Sequence, residues 1–139
     1  MSIELVPLAT VELKPGTPVV VGDTGAGTRL VVDIEAAVWT GERINARQVG
    51  RAAADWPLIG SGGIGKLDVR TTLQTDDGAI IYVHYNGRSV SDADGPILRT
   101  APLFETAAPQ YAWLNAVQAV AKGRIQTDGM LVYEVYEVR

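Results

Sequence analysis

The chain has no cysteine, one histidine and one phenylalanine among its 139 residues. Without cysteine there are no disulfides, no thiol nucleophile and no thiolate metal ligand. With His84 alone and no cysteine, a zinc site of three or four converging ligands is not expected, and a Ser-His-Asp triad would depend on that single residue. No Gly-x-Ser-x-Gly elbow occurs. No apolar run approaches the roughly 20 residues that cross a bilayer as a helix, and no basic segment precedes a short apolar one at the start. The expectation is a cytoplasmic protein with no membrane partner. Cationic residues are outnumbered, 12 Lys and Arg against 16 Asp and Glu, for a net charge of −4. Nucleic acid is therefore not an expected partner, because neutralising phosphates dominates that affinity.

What the chain has in quantity is valine, threonine, turn residues and alternation. Lys66 to Thr75 puts Leu67, Val69, Thr71 and Leu73 on one side and Asp68, Arg70, Thr72 and Gln74 on the other. A period of two is the mark of a strand. Asp76-Asp77-Gly78 supplies a tight turn, and Ala79 to Tyr85 returns as the partner strand. Asn86-Gly87 reads as a further turn. Ile3 to Lys14, Leu30 to Trp39, Ile44 to Ala53 and Met130 to Val138 read as additional strands, with a short turn at Tyr111 to Leu114 leading into another. The last strand carries large residues on both faces, which points to cover on both and to a homodimer. Ser89 to Pro96 reads as a long mobile loop. No composition shift or repeat divides residues 1–139, so a single domain is expected. Strands at short spacing without crossover helices predict an all-β fold, an antiparallel up-and-down β-barrel, since closure removes exposed edges.

Several motifs carry less than they promise. Gly60, Gly62 and Gly65 match G-x-G-x-x-G, but a strand rather than a helix follows, so a hairpin loop is expected. Asp76-Asp77 and Asp92-Asp94 read as turn residues, and no metal site is expected. His84 shares a face with Ile80 and Tyr82 and reads as a packed or surface histidine.

The more suggestive pattern is charge inside apolar segments: Asp55 beside Trp56, Asp68 and Arg70 in one register, Arg99, and Glu105 beside Phe104. Charges in a β-core must pair or line a wet pocket. One reading makes Arg70 and Arg99 partners of carboxylates on the outer surface. The other makes a polar cluster with aromatic walls from Tyr82, Tyr111 and Trp113. There Asp55 or Glu105 would transfer a proton and Arg70 would stabilise an enolate or phenolate.

Three stretches resemble one family: Ala54-Asp55-Trp56, Thr75 to Val83, and Pro102-Leu103-Phe104-Glu105-Thr106 followed by Tyr111-Ala112-Trp113-Leu114-Asn115. The ending Val132 to Val138 is similar too. The family is the bacterial and fungal "domain of unknown function 3237" family, and the resemblance covers nearly the whole chain. It implies a compact antiparallel barrel with no known metal or organic cofactor. Through a fungal member that cyclises a chalcone-like phenol, it also implies an isomerase reaction needing only acid–base groups. Asp55, Arg70, Glu105, Tyr111, Trp113 and Asn115 match its recurring positions. Ala36-Ala37 stands where the family tends to have Gly-Gly, and Gly50-Arg51-Ala52-Ala53 replaces a Gly-rich turn.

The expected function is thus a cofactor-independent isomerase, cyclase or lyase acting on a small aromatic or carbonyl compound. Asp55, Arg70 and Glu105 would be catalytic; Tyr82, Arg99, Tyr111, Trp113 and Asn115 would bind substrate. The alternatives are a barrel that binds such a compound without altering it and an assembly module built on the last strand.

Overall fold

The computed structural model describes all residues, Met1–Arg139. Twelve strands form one antiparallel sheet: β1 (Leu5–Pro15), β2 (Val19–Asp23), β3 (Thr28–Thr40), β4 (Asn45–Gln48), β5 (Ala54–Asp55), β6 (Leu58–Ile59), β7 (Gly65–Thr75), β8 (Ile80–Asp92), β9 (Gly95–Thr100), β10 (Leu103–Glu105), β11 (Ala119–Ile125) and β12 (Leu131–Val138). A 3-10 helix, Pro109–Ala116, lies between β10 and β11. The wall runs β1–β3–β4–β7–β8–β9–β11–β12 and closes where β12 meets β1. It is a closed eight-strand barrel in a single domain. The short strands β4, β5 and β6 occupy one strand position, each pairing with both β3 and β7. Strand β10 continues the β9 position along β8, and β2 extends β3 alone.

Alternation decides which residues fill the barrel. On β7 the expected split holds, with Leu67, Val69, Thr71 and Leu73 buried. On β12, Leu131, Tyr133 and Val135 face in. One end is plugged: Trp39, Ile44, Leu73, Ile81, Phe104 and Leu114 are almost without solvent contact, and Trp39 meets Phe104 edge to face at 5.8 Å. Burying a set of side chains this large is the main stabilising term of the fold. The helix seals that end. Leu114 drops into the core, and Asn115 clamps Thr106, accepting from its N–H at 2.8 Å and donating to its C=O at 2.9 Å.

Three segments differ from the alternation reading. Strand β8 runs straight through Asn86-Gly87, because this glycine serves close approach and not a turn: a Cβ there would overlap Thr100 on β9. Ser89–Pro96 is a hairpin between β8 and β9, not a long loop. Gly95 turns it at φ 99°, and Arg124 on β11 holds Asp92 through two bonds of 3.0 and 2.6 Å. Ile44 to Ala53 is not one strand, since the chain leaves the sheet after Gln48 and returns at Ala54.

Candidate functional site

That interruption places the one inward carboxylate of the barrel wall's open end. Were residues 44–55 a continuous strand, Ile44, Ala46 and Gln48 facing in would turn Asp55 out. The irregular turn at 49–53, with Gly50 at φ 73°, resets the parity. Strand β3 makes the matching adjustment, a bulge at its Ala36 region where Lys14 pairs with Ala36 but Pro15 with Ile34. A bulge of this kind re-aims side chains without ending the sheet. Gln48 spans the break, donating to the Ile34 carbonyl at 2.9 Å and accepting from the Thr71 hydroxyl at 3.3 Å.

After the break, Val32, Asp55, Val69 and Tyr85 stand opposite one another on four adjoining strand positions. Directly opposed residues share a face, and this face is the interior. With Tyr133 from β12, they line a cleft of ≈ 320 Å³ at the unplugged end, walled otherwise by apolar residues such as Leu13, Ile34, Leu98 and Leu131. Deeper in, the barrel is filled; the gap beside Thr71 and Thr100 amounts to ≈ 10 Å³. A substrate has room only at the mouth.

Asp55 is mostly buried there. Loss of solvent pushes its carboxyl up to about 6, and the neighbouring Asp68 charge adds to the rise. The Asp68 backbone N–H, which donates to Asp55 Oδ1 at 3.0 Å, opposes both. Burial also raises the phenols of Tyr85 and Tyr133, to which the Asp55 charge contributes. The two rings pack edge to face with centroids 6.0 Å apart. A carboxylate raised to about 6 that lines the same cleft as two phenols held protonated is an acid–base set that includes hydrogen-bond donors.

The other candidates from the sequence lie elsewhere. Arg70, Tyr82 and Glu105 share one patch, but on the outside of the barrel: Arg70 is exposed opposite Ala54 and His84, and Tyr82 pairs with exposed Glu105. His84 is in that patch too, with Nε2 3.0 Å from Asp68 Oδ1. Arg99 is exposed on β9. Tyr111 and Asn115 belong to the plug; the Tyr111 hydroxyl donates to Asp77 in the β7–β8 turn at 3.0 Å. Trp113 lies under the Arg43 guanidinium, 4.7 Å from the ring centroid. The eight residues therefore do not converge, and only Asp55 faces the cleft. Tyr85 and Tyr133 were not among them, although each stands in a stripe of apolar residues, Ile81-Val83-Tyr85 and Leu131-Tyr133-Val135 in alternate positions. A phenol inside such a stripe is the available signal.

No group of three or more His, Cys, Asp or Glu side chains is arranged to hold a metal ion, and no helix is long and apolar enough to cross a membrane.

Comparison with known proteins agrees with this architecture. A curated protein of the UPF0311 group from Rhodopseudomonas palustris is 27% identical over 143 residues, covering 93% of this chain and 92% of the relative. A solved β-barrel-like protein from Acinetobacter baumannii superposes with a TM-score of 0.91 at 27% identity, covering 100% of this chain and 98% of that one. A structure described as an enzyme from Penicillium herquei shares the fold at a TM-score of 0.76 and 21% identity, covering 99% and 94%. The family described as "Protein of unknown function (DUF3237)" matches residues 3–138, and the chain belongs to it.

Proposed function

We propose that the open end of the barrel is the active site of an isomerase, cyclase or lyase that moves protons on a small aromatic or carbonyl compound, with Asp55 as the proton-transfer group. The observation that carries this reading is the placement of Asp55: a mostly buried carboxylate, raised to about 6, on the wall of a ≈ 320 Å³ apolar cleft with Tyr85 and Tyr133. As the carboxylate it takes a proton from a phenolic O–H or from carbon next to a carbonyl. Negative charge then develops on the substrate oxygen, where hydrogen bonds from the two phenols stabilise it in a site of low dielectric. In an isomerisation or cyclisation Asp55 returns the proton to a different atom of the same molecule, in the cyclisation after the phenolate oxygen has closed a C–O bond onto a conjugated double bond; in a lyase reaction the proton goes to the fragment whose bond to the substrate breaks. Nothing is oxidised or reduced, and no group beyond these acids and donors is needed.

The Penicillium herquei neighbour extends the fold to a protein described as an enzyme and lends support at that level alone. The test is product analysis after incubation with chalcones, enones and phenolic acids. Turnover by the wild type that is lost in Asp55→Asn supports the reading. The apolar lining also suits a barrel that binds such a compound unchanged, and tight binding by both proteins with no product would establish that reading instead.

A further inference from the structure

On the outer face of the same strands whose inner face lines this cleft with Val69, Tyr85 and Leu98, four cations stand in a single row. Lys66 is opposite Arg88, Arg88 opposite Arg99, and Arg99 opposite Lys122, on the adjoining strands β7, β8, β9 and β11. Strands lie about 4.8 Å apart, so the row is about 14 Å long. Like charges set directly opposite each other destabilise a sheet. Here they persist without ion pairs: the five salt bridges of the molecule use other cations. Arg88 donates only to the Gly87 carbonyl, at 2.9 Å. Two acids approach the Lys122 end. Glu134 faces it across β12 and accepts from the Thr10 hydroxyl at 3.2 Å, while Asp92 is already held by Arg124. Arg88 and Arg99, in the middle, have no carboxylate within ion-pair distance. The concentration of charge is the more notable because the chain as a whole carries −4.

Beside this row the wall is hollowed. The β9–β11 ladder ends at the Thr100–Ala121 pair, and the chain then crosses to continue along β8 as β10. This leaves a trough of ≈ 620 Å³ with Arg88, Arg99 and Lys122 on one side and Leu5, Val120 and Tyr136 on the other.

We propose that the trough binds a small organic anion with an apolar body, its carboxylate or phosphate on Arg88, Arg99 and Lys122 and its hydrocarbon or aromatic part against Leu5, Val120 and Tyr136. Each half of the site selects one half of the ligand. An inorganic anion leaves the apolar side wet, and a neutral hydrocarbon leaves the row of cations uncompensated. Charge-assisted bonds from two guanidinium groups supply the directional part. The site is independent of the barrel mouth and of the reaction proposed there.

The test is a titration of isotope-labelled protein with hexyl phosphate, inorganic phosphate and hexanol at constant ionic strength, followed through backbone amide resonances. Saturable shifts at residues 86–88, 99–101 and 120–122 are expected, with hexyl phosphate binding more tightly than either fragment. Arg99→Glu and the milder Arg99→Gln, both at an exposed position, should weaken hexyl phosphate about tenfold or more while keeping the wild-type spectrum elsewhere. The proposal is overturned if shifts are absent or confined to Val69, Tyr85 and Tyr133. Equal affinity in the Arg99 variants also overturns it. So does movement of the trough resonances on dilution without ligand, which would mark a contact between copies, and so does binding to phosphatidylglycerol vesicles without binding to hexyl phosphate.

Discussion

The Tyr133 ring lies over Gly123 so closely that a Cβ at residue 123 would sit 2.5 Å from Cδ1 and 2.6 Å from Cε1 of the tyrosine. The two residues are register partners on β11 and β12. The missing side chain is what lets a phenol enter the cleft at this height of the barrel. Gly123→Ala is expected to destabilise the protein by about 1–3 kcal/mol through overpacking, seen as a lower Tm. In a Tyr133→Ala background most of that cost should vanish, since the collision has gone.

Asp55 gives stability a specific pH dependence. Its carboxyl is raised from 3.8 to about 6 in the folded protein. Between pH 4 and 6 the unfolded chain therefore loses this proton before the folded one does, so the group's contribution makes stability fall as pH rises through that window. Asp55→Asn keeps an Oδ1 to accept the Asp68 N–H and removes the buried charge. Above pH 7 it should be more stable than wild type, by up to about 3 kcal/mol, and its denaturation midpoints should lack the fall. If ionised Asp55 is the base, turnover in the wild type rises through about pH 6 in the same range.

Arg70 and Glu105 provide the contrast. Both are exposed on the outer face of the β7–β8–β10 region. Arg70→Met and Glu105→Gln should each change stability by less than about 0.5 kcal/mol and leave turnover near wild type. Loss of activity in either, with the fold intact, would move the site to the outer patch.

The plug should behave as core. Leu114 is fully buried in the helix that seals the closed end. Leu114→Ala is expected to cost about 2–5 kcal/mol, measured by denaturant unfolding, with no requirement that the pH profile of activity change.

The barrel was legible because alternation on β7 and β12 is strong and Asp77-Gly78 does turn the chain between β7 and β8. Glycine was less readable. Gly78 turns the chain at φ 89°, whereas Gly87 lies within a strand and serves the approach of β9; the same residue type answers two different demands, and local sequence does not say which. Asp55 was legible as a charge in an apolar setting, but its direction was not. Its inward aim depends on the break at 49–53 and the bulge in β3, each of which shifts the parity that a continuous strand would impose. For Arg70 and Glu105, alternation alone already puts Arg70 on the face opposite Val69 and Leu67. Charge next to aromatic residues in the sequence is not charge beside them in space.

The placement of Asp55 is tested most directly by following its side-chain carboxyl carbon resonance through a pH titration. A midpoint close to 6, falling toward 4 when the protein unfolds, is the result expected of a carboxylate held inside the mouth of the barrel. A midpoint near 4 in the folded protein would mean that water reaches the group freely, and the carboxylate would lack the raised basicity on which the proposed chemistry rests.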